Sequence, residues 1–324
     1  MSTKETVLSY LEEKRGEYLS GEELAEKLGI SRNAVWKAVR QLQEDGHEID
    51  SARSRGYSLS RKSSVLSRQS IEKHITASGI SVAVYDELPS TNLTVRQLAE
   101  QGAPEGTVIL ARRQTSGRGR LGRSFYSPAD SGIYMSILLK PRLAAQDALL
   151  ITTCAAVAVA QAIETHTQKT CGIKWVNDIF CAGRKVCGIL TEASLDLESG
   201  GLHYAVLGIG INVFPPKEGF PKEIQEIAGC VSAEQSENLN NRIAAEVIDR
   251  FFAEYPHISD KSFLEEYRKR SILTNKKINV IRVGAEPRPA EALGIGEDFS
   301  LLVRYADGTE ESLSTGEVSI RVNE

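Results

Sequence analysis

The sequence lacks the cysteine patterns that build disulfide frameworks and zinc knuckles. Its 324 residues include five cysteines, an odd number, and no two of them have CxxC spacing. This usage predicts free thiols in a reducing compartment and excludes a small disulfide-stapled secreted domain. Residues 1–19 carry charged side chains such as Glu12 and Arg15 and have no apolar h-region, so we expect no secretory signal there and a cytoplasmic protein.

The sequence also lacks an apolar run long enough to cross a membrane. The one candidate, 149–163, is shorter than the stretch of about 20 residues that a spanning helix needs, and Thr152, Thr153 and Gln161 interrupt it. We therefore expect a buried core helix here and no membrane partner. A Ser/His/Asp or Cys/His set for nucleophilic catalysis is not apparent either. The net charge of −4 neither indicates nor excludes a nucleic-acid partner, so local charge has to be considered.

Residues 1–62 have the order helix, short turn, helix and hairpin that is typical of a winged helix-turn-helix. Ser20 and Ser31 stand where helix N-caps are expected, and Gly29 ends the helix between them. The run HEIDSARSRGYSLS that follows alternates like two short strands joined by a turn. A winged helix-turn-helix is therefore predicted for this segment.

The rest of the chain predicts two further units. The Ser-rich stretch 61–70 is expected to be a linker. Residues 63–270 mix helices and strands without a regular βαβ repeat, which predicts a mixed α+β domain. We expect strands at 82–85, 107–112, 133–139, 173–176, 186–193 and 205–211, and helices at 92–101, 145–165, 240–255 and 261–270. Residues 271–324 contain short strand-like runs and an Asp307–Gly308 turn, which predict a small all-β domain and complete an α+β multidomain protein.

The outer face of the helix that begins after Ser31 is suited to DNA. Asn33, Trp36, Lys37 and Arg40 recur at i, i+3, i+4 and i+7 and form one stripe. Such a stripe offers the side chains that a major groove recognises. Three further arginines are expected to contact DNA, one near the helix start and two at the hairpin tip: Arg32, Arg53 and Arg55. A solvated basic face or a protein partner is the alternative, but the helix order favours DNA, read by a homodimer on a two-fold operator.

The segment TSGRGRLGRS, residues 115–124, contains the dinucleotide-binding pattern GxGxxG at Gly117, Gly119 and Gly122. That fingerprint must open a helix, whereas the residues after it contain Pro128 and Gly132 and alternate like a strand. A nicotinamide enzyme is therefore not indicated. Five arginines lie within a dozen residues: Arg112, Arg113, Arg118, Arg120 and Arg123. We expect a flexible loop that closes over a phosphate or carboxylate; the alternative is a solvated basic loop or an additional DNA contact.

Three more motifs contribute candidate ligand groups. GIKWVNDIF, 172–180, ends an apolar strand with polar side chains that include Asp178, and a hairpin follows that carries Lys185. A lysine facing a cleft can neutralise a phosphate. LGIGINV, 207–213, puts two glycines in a strand, which indicates close approach of a ligand or a neighbouring group. DELPSTN, 86–92, places hydroxyl and amide groups at a helix start, where they either bind a small polar head group or only cap the helix.

Together, STN, QTSGRGRLGR, KWVNDI, KVCGIL and GIGINV, in this order, resemble the biotin–protein ligase family, and the winged helix in front resembles its bifunctional members. The resemblance implies activation of biotin by ATP, with Mg²⁺ carried by the ATP, to biotinyl-5′-AMP. Biotin then passes to one lysine of the biotin carboxyl carrier protein of acetyl-CoA carboxylase. It also implies a transcriptional repressor of biotin genes with the adenylate as corepressor, and a carboxy-terminal barrel like a Src-homology-3 domain.

The resemblance assigns site residues motif by motif. The residues expected to bind biotin or its adenylate are Ser90, Thr91, Asn92, Gln114, Arg118, Gly119, Arg120 and Lys185. The expected catalytic residues are Arg118, Arg120, Lys185 and Asp178, and no metal ligands are expected. The chain departs from the family pattern at Leu121, where a basic residue is frequent, and at Val176, where proline is frequent. A biotin-sensing transcription factor without catalysis and a lipoate–protein ligase, whose loop reads more like RRxSGGG, are the alternative functions.

Overall fold

The computed structural model describes residues 2–195, 201–234, 236–282, 285–314 and 318–322. The first elements are helices α1 (Thr3–Glu13), α2 (Gly21–Leu28) and α3 (Arg32–Glu44), followed by the hairpin strands β1 (Ile49–Ala52) and β2 (Gly56–Leu59). The Ser20 and Ser31 hydroxyls accept hydrogen bonds from the backbone N–H groups of Glu23 and Ala34, which caps α2 and α3. Gly29 ends α2 at a φ of 63°, in the left-handed region. The predicted winged helix-turn-helix is confirmed.

The apolar faces of these three helices and the hairpin meet in a core of their own. The buried side chains of this core include Val7, Leu11, Leu24, Val35, Val39, Leu42 and Leu59. In α1 and α3 these positions recur at spacings of three or four, so each of the two helices turns one apolar stripe inward and leaves the opposite face to solvent.

The stretch expected to be a linker is structured and partly buried, so that prediction is wrong in its second half. Helix α4 (Arg68–His74) begins inside it, capped by the Ser67 hydroxyl, which accepts from the Ser70 N–H. Ser63, Ser64, Ser67 and Ser70 are all buried. Residues from much later in the chain bond to this segment: the Ser64 hydroxyl donates to the Ser236 carbonyl, and the Asn241 side chain bonds to the backbone of Val65 and Ser67.

A seven-stranded sheet forms the centre of the molecule, with the order β3-β4-β5-β9-β8-β7-β6. Its strands are β3 (Ser81–Leu88), β4 (Thr107–Gln114), β5 (Gly132–Leu139), β6 (Cys171–Lys174), β7 (Asp178–Cys181), β8 (Arg184–Leu195) and β9 (Leu202–Asn212). β3 and β4 are parallel, and the other neighbours are antiparallel. The six predicted strands are present, most of them longer than predicted. β7, which is four residues long, was not predicted as a separate strand.

Helices cover both faces of this sheet. They are α5 (Thr91–Glu100), α6 (Leu149–His166), α7 (Leu239–Glu254) and α8 (Leu264–Arg270). Along β4, Ile109 packs towards α5, while Val108 and Leu110 belong to the core on the other face, as the period of two in a strand requires. In the described part of the chain, Ala145–His166 is the one helical stretch long and apolar enough to span a membrane. Most of α6 is buried, which confirms the predicted core helix.

The last unit is a five-stranded antiparallel sheet with the order β13-β12-β11-β10-β14. Its strands are β10 (Lys276–Arg282), β11 (Arg288–Ile295), β12 (Leu301–Tyr305), β13 (Glu310–Leu313) and β14 (Val318–Val322). The all-β prediction is confirmed. The unit packs against α8 through the Phe263 and Phe299 rings, whose centroids are 5.0 Å apart. It also contacts the central sheet, because the Trp175 indole N–H donates to the Phe299 carbonyl at 2.8 Å.

Candidate functional site

Four of the predicted residues, Ser90, Thr91, Asn92 and Gln114, form a polar cluster at the start of α5. The Gln114 Oε1 atom accepts from the Thr91 N–H at 2.8 Å and from the Thr91 hydroxyl at 3.1 Å. Ser90, Thr91 and Asn92 are buried. The Ser90 side chain makes no capping bond to the helix that it precedes. Capping alone therefore does not account for this buried hydroxyl, and the structure brings the four residues together.

Two residues that the sequence analysis missed hold this polar cluster in place. The Ser136 hydroxyl, on β5, lies 2.7 Å from Thr91 Oγ1 and 2.6 Å from Asn92 Oδ1. Glu192, on β8, accepts from Asn92 Nδ2 at 2.8 Å and pairs with Arg96 at 2.6 Å. Both residues are far from the STN motif in sequence and belong to no motif of their own, so local sequence carries no signal for them.

The glycines of the GIGIN strand and the GIL strand form a floor beside the polar cluster. We call Gly188, Gly208 and Gly210 the glycine floor. A Cβ atom at Gly208 would overlap the Asn92 side chain, and one at Gly210 would lie 2.5 Å from Phe125 Cε1. A Cβ at Gly188 would lie 3.3 Å from Lys185 Cε and 3.4 Å from Phe125 Cε2. The close approach that the glycines indicated is made by these side chains of the same chain.

The glycine–arginine loop is held by backbone hydrogen bonds, and Phe125, which follows it, lies against the floor. At its start, Ser116 N–H donates to the Pro89 carbonyl at 2.8 Å, and at its end Phe125 N–H donates to the Gly117 carbonyl at 2.9 Å. Gly119 N–H donates to the Arg123 carbonyl at 2.7 Å across the loop. These bonds direct the Phe125 ring onto the glycine floor. Phe125 follows the loop directly, and its aromatic character was the only sequence signal that it gave.

The five arginines do not act as one unpaired cluster, contrary to the expectation. Arg112 pairs with Asp130 at 2.9 Å and Asp86 at 3.4 Å, and Arg113 pairs with Glu87 at 2.8 Å. The reason is the sheet: Glu87 on β3 lies opposite Arg113 on β4 in register. These carboxylates could not be assigned from local sequence.

The other three arginines remain candidates for an anionic ligand. Arg118 and Arg123 are exposed, and no carboxylate of the described residues pairs with either. The Arg120 guanidinium donates to Asn177 Oδ1 at 3.2 Å and is half-buried. Burial lowers the pKa of Arg120 below its ordinary value, while the nearby Asp178 carboxylate opposes this effect. Asn177, which sequence reasoning left out of the site, thus positions Arg120.

The hairpin that follows brings Lys185 and Asp178 together. The Lys185 Nζ atom lies 2.6 Å from Asp178 Oδ1, and both side chains are about a quarter to a third exposed. Asn177 Nδ2 donates to the Ile189 carbonyl at 2.8 Å. The Val176 carbonyl, at the position where the family often has proline, accepts from the Tyr267 hydroxyl at 3.1 Å. These contacts fix the turn between β6 and β7 from both sides.

The site therefore has a neutral hydrogen-bonding end and a cationic end, joined by the glycine floor. Asn92 and Phe125 contact the floor at the neutral end, and Lys185 contacts it at the cationic end. Such a surface fits a ligand with a polar, uncharged head and an anionic tail. Within the described ranges, no group of three or more His, Cys, Asp and Glu side chains is placed to hold a metal ion.

Comparison with known proteins gives the family. Residues 84–212, which span the polar cluster, the loop and the glycine floor, match the biotin/lipoate A/B protein ligase family. The bifunctional ligase/repressor BirA of Bacillus subtilis is 38% identical over 226 residues, which are 69% of this chain and 69% of the relative. The chain belongs to the biotin/lipoate A/B protein ligase family.

Another relative extends the match to 94% of the chain. The bifunctional ligase/repressor BirA of Escherichia coli is 27% identical over 310 residues, 94% of each chain. Among solved structures, the biotin protein ligase from Aquifex aeolicus in complex with biotin and ATP has a TM-score of 0.63 at 25% identity, and the match covers 75% of this chain and 99% of that one. Residues 3–58 match a helix-turn-helix domain, which adds a second unit to the ligase family's domain.

In this family member, the stripe on α3 faces solvent. We call Asn33, Trp36, Lys37 and Arg40 the recognition stripe; all four are exposed, Trp36 by 46%. The Arg40 guanidinium lies 5.3 Å from the Trp36 ring centroid and 3.7 Å from a Glu44 oxygen. Arg32 pairs with Glu22 of α2. Several of the predicted DNA contacts are thus exposed but already have a partner.

The arginines at the hairpin tip are also exposed, and one of them also has a partner. Arg53 is exposed at the turn between β1 and β2. The Arg55 guanidinium stacks over the Tyr18 ring, 4.1 Å from its centroid, and Tyr18 donates to Asp50. The structure therefore places all of the predicted DNA-contacting residues on the surface, and it adds Tyr18 as a residue that holds one of them.

Proposed function

We propose that this chain forms biotinyl-5′-AMP from biotin and ATP and transfers the biotin to one lysine of the biotin carboxyl carrier protein of acetyl-CoA carboxylase. We further propose that it binds operator DNA as a repressor of biotin genes, with the adenylate as corepressor. The family, the relatives named ligase/repressor and the solved ligase with biotin and ATP support both activities. The observation that carries the enzymatic half is the glycine floor, which the polar cluster contacts through Asn92 and the cationic end contacts through Lys185.

The polar cluster is the proposed site for the uncharged head of biotin. A cyclic urea offers a carbonyl acceptor and N–H donors, and Ser90, Thr91, Asn92 and Gln114 offer matching hydroxyl and amide groups. The Ser90 hydroxyl is buried and makes no capping bond, so it has hydrogen-bonding capacity to give. Buried groups of this kind select for a ligand that pairs with them.

The cationic end is the proposed site of adenylation. The biotin carboxylate must approach the α-phosphorus of ATP, and both groups are anionic. Arg118, Arg120 and Lys185 lower this repulsion by positioning and electrostatic stabilisation, together with Mg²⁺ that ATP carries. Asn177 holds Arg120 in place for this role, and the half-buried position of Arg120 strengthens its interaction with an anion. Closure of residues 115–123 over the mixed anhydride would keep water away from it.

Asp178 has two proposed roles, one before the ligand binds and one in the transfer step. Before ligand binds, its ion pair with Lys185 keeps the ammonium group directed at the floor. In the transfer step, the acceptor lysine must lose a proton before it attacks, and Asp178 is the carboxylate at this end that can orient or deprotonate it. The substitution Asp178→Asn separates the two roles. The amide oxygen of asparagine can still accept a hydrogen bond from Lys185, but it cannot take the proton of the acceptor lysine.

Biotin-dependent exchange of pyrophosphate into ATP tests the enzymatic proposal. We expect exchange with biotin and Mg²⁺, no exchange with lipoate in place of biotin, and loss of exchange when the ion is chelated. A protein that only senses biotin would bind it without any exchange, and a lipoate ligase would reverse the preference. Either result would contradict the proposal.

DNA binding is proposed to need a homodimer, since a single winged helix reads few base pairs. Adenylate bound under the loop is proposed to favour the dimer, and the dimer to favour DNA, in a cytoplasmic protein. Sedimentation with and without biotinyl-5′-AMP measures the shift in dimer affinity. An unchanged dimer affinity would remove the corepressor mechanism and leave the ligase proposal intact.

A further inference from the structure

Two cysteines face each other at the base of the hairpin that carries Asn177 and Asp178. Cys171 on β6 and Cys181 on β7 are register partners, and their Sγ atoms lie 2.9 Å apart. Both are buried, with 2% and 4% of their surface exposed. Both are free thiols. The contact is closer than two sulfur atoms usually pack, and neither the family's motifs nor the proposed reaction uses it.

The strand register suits a covalent bond between them. Cys171 N–H donates to Glu164 Oε1 at 2.8 Å, and the Cys171 carbonyl accepts from Arg270 at 3.3 Å. These backbone groups therefore point away from β7, and the pair with Cys181 is a non-hydrogen-bonded one. In such pairs the Cα atoms are about 4.5 Å apart, which falls within the range of about 4.4–6.8 Å that disulfides require.

The surroundings also make one of the two sulfurs the nucleophile. The two thiols share a hydrogen bond in which either sulfur can be the donor. This bond, as the largest effect, lowers the pKa of Cys181, and Lys169 acts in the same direction. By contrast, burial raises the pKa of Cys187 and of Cys154 above the ordinary range of a thiol. Oxidants react with thiolates, so the pair is favoured over the other buried cysteines.

We propose that Cys171 and Cys181 are a reversible oxidation site that closes to a cross-strand disulfide with hydrogen peroxide. The Cys181 thiolate attacks one peroxide oxygen, the O–O bond breaks, and a sulfenic acid and hydroxide form. Cys171 then gives up its proton and attacks the Cys181 sulfur, and the second hydroxide leaves. In total, two thiols lose two electrons and two protons, and one peroxide becomes two waters.

The disulfide would tie the two strands that hold the Trp175–Asn177 turn. Asn177 bonds to Arg120, and Asp178 pairs with Lys185, so the cross-link would limit how far this turn can open. The oxidation site depends on the geometry of the two cysteines and does not depend on the ligase activity.

Peptide mapping of the full chain tests the proposal. The chain is treated with hydrogen peroxide, quenched with N-ethylmaleimide in denaturant and cut with trypsin. Cleavage after Lys169, Lys174 and Arg184 gives peptides 170–174 and 175–184, each with one cysteine. We expect these two peptides joined, with the mass of the sum less two hydrogens and both maleimide adducts lost. Treatment with dithiothreitol before the quench should restore both adducts.

Matched variants exclude other pairings. Cys154→Ser, which removes a buried thiol on α6, should leave the joined peptides unchanged, whereas Cys171→Ala should abolish them. Maleimide on both cysteines after peroxide treatment of the wild type would overturn the proposal. So would a sulfinic acid at Cys181 without a link, or a link from Cys181 to Cys187. Circular dichroism of Cys171→Ala checks that this variant is folded. If the variant does not fold, the peptide map of the wild type still decides the question.

Discussion

The recognition stripe on α3 and the glycine floor of the central sheet each belong to a candidate ligand site, but they are built in opposite ways. The stripe consists of exposed side chains on one helix, spaced at three and four residues. The floor consists of positions without side chains, on which Asn92 and Phe125 from distant segments are packed. The stripe tolerates local change, whereas the floor depends on several parts of the chain at once.

This difference determines how each region responds to substitution. A residue on the stripe contributes its own contact with the ligand, and its loss leaves the helix intact because the buried face of α3 is separate. A residue on the floor has its neighbours within van der Waals distance, so a single added methyl group displaces them. The following changes test this contrast, beginning with the largest expected effect.

Gly208→Ala should remove the enzymatic activity. The new Cβ would overlap the Asn92 side chain, which bonds to Glu192 and cannot retreat without losing that bond. We expect the free energy of unfolding to fall by about 1–3 kcal/mol, as for other overpacked sites. Displacement of the polar cluster should reduce biotin-dependent exchange by more than about 100-fold, the effect of misplaced positioning groups.

The double variant Asn92→Ala with Gly208→Ala is the control. It removes the side chain that clashes, so stability should return while exchange stays low. For the stripe, Asn33→Ala should change the free energy of unfolding by less than about 0.5 kcal/mol, because the side chain is exposed. Wild-type exchange in Gly208→Ala would show that the floor is not part of the site.

Arg118→Ala should weaken retention of biotinyl-5′-AMP by about 2–4 kcal/mol, the worth of one or two charge-assisted hydrogen bonds. This corresponds to an adenylate dissociation rate about 30 to 1,000 times faster, measured by stopped flow or by filter binding. Arg113→Ala is the matched control, since Arg113 already pairs with Glu87 on an exposed part of the sheet. Equal dissociation rates in the two variants would contradict the role given to Arg118.

Much of the fold was predictable because its signals are local. Ser20, Gly29 and Ser31 mark helix boundaries by their own backbone and side-chain chemistry, and they do so in the structure. The stretch 61–70 was misjudged because a serine run reads as polar and exposed. Its hydroxyls and backbone are buried here against Asn238 and Asn241, which come from the start of α7, far along the chain.

The motifs predicted Asn92, Gln114, Lys185 and the loop as site residues, and their roles stay predictions. The structure places Asn92 and Lys185 against glycines of the same floor. The contacts that the site residues make were less predictable. Sequence could not indicate that Glu87 pairs with Arg113, since that contact depends on the parallel pairing of β3 with β4. Nor could it indicate Ser136, which reaches the polar cluster from a strand with no motif.

His47 follows α3 in the winged helix and lies within electrostatic range of Arg112 on β4, so the stability of this part of the chain should be sensitive to acid. The side chain is buried, and burial, reinforced by Arg112 of β4, lowers its pKa to about 4 from an ordinary 6.5. The unfolded chain binds this proton more readily than the folded one, so stability is unaffected above about pH 6.5 and is lost as the pH falls towards 4. Near pH 4.5, the loss should be about 2–3 kcal/mol.

Urea unfolding of wild type and His47→Gln near pH 7 and pH 4.5 measures this effect. The variant should lose less stability than the wild type between the two conditions. His257→Gln is the control for loss of a histidine, because the His257 side chain is 73% exposed and not buried. Parallel pH dependence in wild type and His47→Gln would show that His47 does not bind its proton more weakly in the folded state.

Lys37→Ala should give the smallest effect and the most informative one for the stripe. Arg32 and Arg40 each lie near a glutamate, whereas no carboxylate of the described residues pairs with Lys37, so this ammonium group is available to a phosphate. Loss of one phosphate contact should lower the slope of log K against log salt by about 0.9 and weaken binding similarly for operator and unrelated DNA.

Glu22→Gln should change the slope in the opposite direction, because it frees Arg32. Titration of both variants with labelled operator at several salt concentrations measures the slopes. An unchanged slope in Lys37→Ala would show that the DNA phosphates contact other residues of the winged helix. The comparison between stripe and floor would then be tested only by the substitutions that affect ligation.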